Sequence, residues 1–178
     1  GRNPSTQELI KKLVLNVRKP IILDADGLYP FSNKIEILCQ RASPLIITPH
    51  LKELARLLGY KKEMVLSDFS NVITGIRKKF RQVCVVKQVP ACIMFENSIR
   101  INTTGNPGLA SAGTGDVLTG IIASLVSQGL NCYDAASVGA YIHGQTSDEL
   151  VEKKGYRGQL SSDLVELLPS IIRSYERT

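Results

Sequence analysis

The sequence predicts an α/β protein with a mostly parallel sheet covered by helices on both faces. Short, continuous apolar runs at 20–23, 45–47 and 82–87 alternate with longer stretches of helical pattern. Such runs are typical of strands buried in a parallel sheet, and their alternation with helices indicates crossover connections. Polar residues follow each run, where ligands bind to such sheets. At 178 residues, the chain fits one domain, and we expect a single domain over 1–178.

The first elements follow from local signals. Ser5 and Glu8 have the spacing of a capping box, which predicts a helix from there to about Asn16. The strand at 20–23 delivers Asp24 and Asp26 at its carboxyl end. Ser32 is expected to cap a helix over about 33–41.

The middle of the chain continues the alternation. After the strand at 45–47, Thr48 is expected to be the N-cap of a helix that Gly59 ends, with Pro49 as its first residue. The remaining elements are predicted as a helix at 68–80, a strand at 82–87, a hairpin formed by 91–95 and 98–102, and helices at 116–128, 133–153 and 162–177.

Composition excludes several classes of protein. The chain is 43% hydrophobic and 21% charged, as in ordinary globular proteins, and it lacks the run of about 18 apolar residues that spans a bilayer. We therefore expect no membrane partner. The start of the chain lacks an apolar signal segment. We expect a cytoplasmic protein, with any organellar targeting segment lying upstream of this chain.

The cysteines and histidines do not predict a metal site. Neither the four cysteines nor the two histidines show metal-ligand spacing. We expect reduced thiols, and we expect His143, in the middle of a predicted helix, to be a packing residue.

Charge is divided unevenly along the chain. Residues 1–100 carry 17 Lys and Arg against 8 Asp and Glu, and residues 101–178 carry 5 against 8. The basic half has few aromatic residues to stack bases and no recognisable nucleic-acid module. An anionic small molecule suits the basic half equally well, and solvated surface lysines explain most of its charge. We expect a small-molecule partner and no nucleic acid.

The run 103–120, TTGNPGLASAGTGDVLTG, is the most informative part of the sequence. Its glycines allow backbone N–H groups to approach a ligand closely, and the helix that follows adds the positive end of its dipole. Asp116 stands at the start of that helix. The layout is typical of a phosphate-transfer or phosphate-elimination site with a carboxylate base. The structural alternative is a glycine-rich loop capped by an acidic residue.

Several segments together resemble one family. They are ILDADGL at 22–28, ITPHLKELARLLG at 47–59 and NPGLASAGTGDVLTGIIASLVSQGL at 106–130, with further matches at 140–155 and 160–172. They are similar to the ADP- or ATP-dependent NAD(P)H-hydrate dehydratases of the ribokinase-like superfamily. The resemblance implies a three-layer ribokinase-like fold and a metabolite-repair lyase that restores NADH or NADPH from its hydrated form.

The resemblance also implies site residues and cofactors. Asp116 would be the catalytic base and would contact the substrate. The other substrate-binding positions would be Gly1, His50, Leu51, Lys52, Glu53, Leu54, Ala55 and Arg56. The nucleotide-binding positions would be Lys87, Gln88, Val89, Pro90, Ala91, Asn106, Pro107, Gly108, Leu109, Ala110, Ser111, Ala112, Gly113, Thr114 and Gly115. The cofactors would be ADP or ATP with Mg²⁺, and no protein metal-ligand set is implied.

Some of these positions have simpler structural explanations. His50 would then be a first-turn histidine bonded to nearby backbone, and Lys87 a solvated lysine at a strand end. Asp24 and Asp26 are expected to shape the sheet end or to position a metal-bound water rather than to take part in the chemistry. Family members carry Lys-Gly where this chain has Lys87-Gln88, so we expect a weaker backbone approach to the nucleotide there.

The chain also differs from the family pattern at its start. It has no initiating Met, and Gly1-Arg2 resembles the last two residues of a glycine-rich turn that family members carry in an additional upstream segment. We therefore expect a fragment without its N-terminal strands. Two other functions stay open: a ribokinase-like kinase acting on a small alcohol, and a non-catalytic nucleotide-binding remnant. Self-association into a homo-oligomer also stays open.

Overall fold

The computed structural model describes residues 1–176 and, within them, every side chain except that of Lys79. The described residues form α-helices, β-strands and two short 3-10 helices. The α-helices are α1 (Pro4–Asn16), α2 (Ile35–Cys39), α3 (Leu51–Leu58), α4 (Lys62–Ser67), α5 (Phe69–Lys79), α6 (Thr114–Ser127), α7 (Cys132–Lys154) and α8 (Ser161–Arg173). The strands are β1 (Ile21–Leu23), β2 (Leu45–Ile47), β3 (Val83–Val86), β4 (Cys92–Phe95) and β5 (Ser98–Ile101). The 3-10 helices span Ala25–Phe31 and Pro107–Ala110.

The strands form one sheet in the order β1-β2-β3-β4-β5. Strands β1, β2 and β3 run parallel, with Ile22 opposite Ile46 and Ile46 opposite Val83. Strand β4 pairs antiparallel with β3, and β5 follows it as the predicted hairpin. The predicted α/β class and the parallel core strands are confirmed, and the hairpin makes the sheet mixed.

The chain divides into two compact units. The sheet unit comprises residues 1–88 and 92–100, and the helical unit comprises residues 89–91 and the described residues from Ile101 onward. The core of the sheet unit is built by Phe31, Leu38, Leu54 and Leu57, none more than 1% exposed, together with the strands. In the helical unit, α7 packs against both α6 and α8. The interpretation as a single domain stays a prediction.

Three predicted helix starts are wrong, for local reasons. Helix α1 is capped by Asn3, whose Oδ1 accepts the Ser5 N–H at 3.0 Å, because Pro4 suits the first helical position. The Ser32 hydroxyl instead donates to the Tyr29 carbonyl at 2.6 Å. Helix α2 consequently begins at Ile35. Thr48, the residue that follows β2, is fully buried, and the next helix begins only after His50.

The cap of α3 is His50 rather than Thr48. Gly59 ends α3 in the left-handed conformation, with φ of +74°, as predicted. Helix α4 and both 3-10 helices were not predicted. Their runs are short, so they carry too few apolar positions for a period to be recognised. The predicted end of α8 at residue 177 lies outside the described residues.

All four cysteines are free thiols, as predicted. Cys84 and Cys92 are buried on neighbouring strands, and burial raises the pKa of Cys92 to about 11. Within residues 1–176, none of the helices has both the length and the apolar character needed to cross a bilayer.

Candidate active site

The glycine loop, residues 105–115, leads directly into α6. Asn106 accepts the Gly108 N–H on its Oδ1 at 2.9 Å and so caps the 3-10 helix that Pro107 begins. The Thr114 hydroxyl donates back to the Leu109 carbonyl at 2.6 Å. These side-chain bonds hold the backbone of the loop in one shape and make it a rigid approach to α6.

Gly113 is the N-cap of α6 and has φ of +83°. A Cβ there would lie 2.8 Å from the Ser161 Oγ, so both conformation and space favour glycine. Among the described residues, nothing accepts the N–H groups of Gly113 and Gly115. Unbonded amides at the start of a 14-residue helix form a place where an anion can be bound.

Asp116 is the third residue of α6 and is exposed. Its backbone N–H donates to the Gly113 carbonyl at 3.1 Å. Within the described part of the chain, its carboxylate makes no hydrogen bond or ion pair. The predicted position of Asp116 at the start of a helix is confirmed, and its carboxylate does not cap the helix.

In the sheet unit, the sheet-end cluster consists of Asp24, His50 and Lys87. They follow β1, β2 and β3, whose carboxyl ends lie side by side because the strands are parallel. Lys87 Nζ donates to Asp24 Oδ1 at 2.6 Å, and the Lys87 N–H donates to the Pro49 carbonyl at 2.8 Å. These three residues therefore lie together at one edge of the sheet. Lys87 is ion-paired rather than simply solvated.

His50 closes a capping box with Glu53. Its Nδ1 accepts the N–H groups of Lys52 and Glu53, both at 3.2 Å, and Glu53 Oε2 accepts the His50 N–H at 2.9 Å. Because Nδ1 acts as an acceptor, the neutral ring carries its proton on Nε2. Nε2 lies 3.3 Å from Glu53 Oε1, and the side chain is 48% exposed. His50 therefore bonds to nearby backbone as its structural explanation expects, and its imidazole remains partly exposed.

The rest of α3 is divided between core and surface. Leu54 and Ala55 belong to the core of the sheet unit, so their side chains support the helix rather than face a ligand. Lys52 is exposed and Arg56 half-buried. The Arg56 guanidinium lies 5.4 Å from the centroid of the Tyr29 ring. The surface that α3 offers to a ligand is thus cationic.

A second guanidinium lies over the same ring, that of Arg2 at 4.6 Å. Arg2 also donates to Asp26 at 3.0 Å, and this bond holds the pKa of the Asp26 carboxyl below its usual range. Gly1 lies next to the same carboxylate. Asp26 therefore balances charge near α3.

The stretch after Lys87 lies at or near the surface. Gln88 is half-buried, Val89 is exposed, and Pro90 has no N–H. The Ala91 carbonyl accepts the Asn102 N–H at 2.8 Å. The weaker backbone approach to the nucleotide expected at Gln88 stays a prediction.

Two side chains of the helical unit that were not predicted as site residues contact the glycine loop. Asp148 on α7 accepts the Gly105 N–H at 2.8 Å, and Gln159 lies against Gly108. Gln159 is only 1% exposed. A glutamine in a short polar linker gives no sequence signal for such burial. Across the described residues, there is no cluster of three or more His, Cys, Asp or Glu that could hold a metal ion.

Known proteins resemble the chain over nearly all its length. The sequence model of the family described as NAD(P)H-hydrate dehydratase matches residues 1–170. A bifunctional NAD(P)H-hydrate repair enzyme of Moorella thermoacetica is 39% identical over 177 residues, which are 99% of this chain and 33% of that protein. An ADP-dependent (S)-NAD(P)H-hydrate dehydratase of Neisseria meningitidis is 40% identical over 140 residues, which are 77% of this chain and 47% of that protein.

Solved structures are similar in the same way. An ADP/ATP-dependent NAD(P)H-hydrate dehydratase from Bacillus subtilis, co-crystallised with ATP and Mg²⁺, has a TM-score of 0.84 at 27% identity. The similarity covers 98% of this chain and 61% of that one. A ribokinase-like superfamily protein from Enterococcus faecalis has a TM-score of 0.82 at 26% identity, covering 100% and 61%.

The chain spans about a third of the first of these curated relatives and about three fifths of the solved structures. Its α/β fold is ribokinase-like. Because the sequence model matches almost the whole chain, including the glycine loop and Asp116, the chain belongs to the NAD(P)H-hydrate dehydratase family.

Proposed function

We propose that this chain carries out the nucleotide-dependent dehydration of hydrated NADH or NADPH. The observation that carries the proposal is the start of α6, where an exposed, unpaired Asp116 follows a glycine loop with N–H groups that no described residue accepts. Membership of the NAD(P)H-hydrate dehydratase family supports dehydration as the reaction at this site. The names of its relatives support ADP or ATP as the nucleotide.

The glycine loop is the proposed binding site for the phosphates. The N–H groups of Gly113 and Gly115 and the dipole of α6 favour negative charge at this point. As charge moves during phosphoryl transfer, these fixed donors can stabilise it without reorganising.

Asp116 is the proposed base. Its carboxylate accepts the proton of the substrate's ring hydroxyl, and that oxygen forms a bond to the terminal phosphorus as the bond to the leaving nucleotide breaks. The phosphorylated ring then loses phosphate from one carbon and a proton from its neighbour. The products are NADH or NADPH, phosphate and the shortened nucleotide.

The sheet unit contributes the proposed substrate contacts. At the start of α3 and along it, we propose the side chains of His50, Lys52 and Arg56 as the substrate contacts, because they are exposed or half-buried. Leu54 and Ala55 are in the core. The Nε2–H of His50 can donate to a substrate oxygen, and the two cationic side chains suit a dinucleotide's phosphates. For Lys87, we propose that it neutralises nucleotide phosphate as a point charge while Asp24 holds its position.

Mg²⁺ is proposed to enter with the nucleotide. This ion is usually held by substrate phosphates and one or two carboxylates. That pattern suits a chain in which no described cluster of three or more metal-binding side chains exists. When bound, the ion would neutralise charge on the phosphates.

We also propose that the protein acts in the cytoplasm on a small molecule and on neither nucleic acid nor membranes. The four free thiols support this location. The low aromatic content, 6%, supports a small anionic ligand over a nucleic acid.

The test is incubation with hydrated NADH or NADPH, Mg²⁺, and either ADP or ATP. We expect absorbance in the NADH band to recover and one phosphate to be released for each molecule restored. A stable phosphorylated alcohol without recovery of absorbance would instead indicate a kinase. Nucleotide binding without any turnover would indicate a non-catalytic remnant.

A further inference from the structure

We propose that Asp148 and Gln159, to which nothing so far assigns a role, are positioning residues of the glycine loop. They hold the loop on α7 so that its free N–H groups meet the nucleotide phosphates in one fixed arrangement. This inference rests on the proposed function for its ligand, while the geometry that carries it belongs to the helical unit alone.

Asp148 brackets two successive residues of the loop. Its Oδ2 accepts the Gly105 N–H at 2.8 Å, and its Oδ1 accepts the Asn106 side-chain N–H at 2.9 Å. Both carboxylate oxygens therefore receive a donor, and hydrogen bonds to a charged acceptor are the stronger kind. Asn106 is buried, so losing its partner would leave a polar group unsatisfied.

Gly144 lies one turn before Asp148 on the same face of α7. A Cβ there would come within 2.4 Å of the Thr104 Oγ1 and 2.8 Å of the Gly105 backbone N. Glycine at this position allows the loop to lie directly on the helix, and Asp148 binds it there. The two residues form one docking surface, with Gly144 supplying room and Asp148 supplying acceptors.

Gln159 secures the next part of the loop. Its Oε1 accepts the Ser147 hydroxyl at 2.6 Å, and its Nε2 donates to the Ser147 carbonyl at 3.2 Å. A Cβ on Gly108 would lie 2.6 Å from the Gln159 Cδ. The buried amide is thus both bonded to α7 and packed against the loop.

A series of hydrogen bonds connects Asn106 to the start of α6, where the phosphates are proposed to bind. Asn106, held by Asp148, accepts the Gly108 N–H, and Gly108 lies in the 3-10 helix whose Leu109 carbonyl accepts the Thr114 hydroxyl. Thr114 is the first residue of α6. A fixed anion site is worth more than a mobile one, since a displacement of about 1 Å can cost a hundredfold in rate.

The test uses Asp148→Asn with Glu149→Gln as its matched control. The asparagine side chain would turn an NH₂ group toward one of the two donors that now face a carboxylate oxygen. Glu149 is the neighbouring residue on α7 and makes no contact with the loop among the described hydrogen bonds, so its variant removes the same charge without touching the loop. We expect Asp148→Asn to weaken binding of ADP and ATP about tenfold or more, and Glu149→Gln to change it less than about twofold.

A second pair is Gly144→Ala with Gly120→Ala. Gly120 on α6 has open space around it, so the same added methyl group meets nothing. Affinities are measured by calorimetric titration well below each variant's unfolding temperature. Hydrogen exchange of peptides covering 103–113 is measured without nucleotide. We expect faster exchange in Asp148→Asn and Gly144→Ala only.

Unchanged affinity and unchanged exchange of 103–113 in a destabilised Asp148→Asn protein would overturn the inference, because a purely structural role predicts that result. If Asp148→Asn does not fold, Gly144→Ala decides by the same readouts. Absence of nucleotide binding in the unaltered protein would contradict the proposed function. The exchange comparison would still decide whether these residues position the loop.

Discussion

Asp116 and His50 both stand at the N-terminal end of a helix, yet their side chains serve different purposes. His50 accepts two backbone N–H groups and so completes the start of α3. Asp116 accepts none among the described residues, and Gly113 takes the capping position. A side chain free of capping can act on a ligand, and this difference makes Asp116 the stronger candidate for chemistry.

Asp116→Asn should lower turnover about 10²- to 10⁴-fold, because asparagine cannot accept the proton of the substrate hydroxyl. Affinity for ADP and ATP should change less than about threefold, since the phosphate cradle is built from backbone N–H groups. Single-turnover kinetics and calorimetric titration measure the two quantities. Near-normal turnover in a correctly folded variant would remove Asp116 from the mechanism.

Gly113→Val should weaken nucleotide binding about tenfold or more. A β-branched side chain disfavours the φ of +83° and would meet the Ser161 Oγ. The matched control is Gly120→Val, in the same helix where space is open. Equal affinities of the two variants for ATP would show that the loop conformation does not govern phosphate binding.

His50 allows its capping and binding roles to be separated. His50→Ala removes the cap of α3 and should cost about 0.5–2 kcal/mol in the free energy of unfolding. His50→Asn keeps a good cap and should cost much less, but it too lacks the imidazole Nε2–H. If both variants bind hydrated NADPH as tightly as the unaltered protein, His50 serves α3 alone.

In the helical unit, the carboxylate of Asp163 contacts the ends of two helices, α7 and α8. Asp163 accepts the Leu160 N–H at 2.9 Å at the start of α8, and it pairs with Lys154 at 2.6 Å near the end of α7. The Lys154 hydrogen bond, and after it the Leu160 N–H, hold the pKa of Asp163 below its usual range. One carboxylate thus joins two helix ends.

This pKa shift predicts an acid dependence. A carboxyl whose pKa is lowered by folding stabilises the folded state above its unfolded pKa of about 3.9, and that stabilisation is lost as the pH falls through the lower folded value. The Tm of thermal unfolding should therefore be higher for the unaltered protein than for Asp163→Asn at pH 7. This difference in Tm should shrink as the pH is lowered toward 3.

The control is Glu166→Gln, an exposed position on the same helix. Its unfolding midpoint should follow that of the unaltered protein at every pH. A difference between Asp163→Asn and the unaltered protein that stays constant down to the acid limit would contradict the assigned pKa shift.

In the molecule as a whole, stability depends on the buried parallel strands more than on the many exposed apolar side chains. Strand β2 is fully buried and lies between β1 and β3, so its side chains are enclosed by the core. Exposed leucines, such as Leu9 at 56%, contribute little by burial.

Leu45→Ala in β2 should lower the free energy of unfolding by about 2–5 kcal/mol, because it removes buried methyl groups and leaves a cavity. Leu9→Ala on α1 deletes the same atoms from an exposed site and should cost less than about 1 kcal/mol. Chemical denaturation measures both. Similar losses would mean that α1 is more deeply covered in solution than the structure indicates.

Strand positions and the long helices could be predicted from the sequence because their signals are local. The apolar runs of β1, β2 and β3 depend only on neighbouring residues. Helices α6 and α7 are long segments without an interior proline. The glycine loop and Asp116 were likewise visible, since spacing and residue type alone indicate an anion site. Family resemblance then supplied a reaction that no local pattern contains.

The partners of individual side chains depend on contacts between residues far apart in the chain. Lys87 pairs with Asp24 across 63 positions, and Asp148 meets Gly105 across 43. Lys87 meets Asp24 because parallel strands end at the same edge of the sheet. Asp148 meets Gly105 because Gly144 in α7 leaves room for the loop to lie against the helix. Residue spacing reports what lies within one or two helical turns or along one strand. Which distant groups meet is set by packing, and packing exists only once the chain has folded.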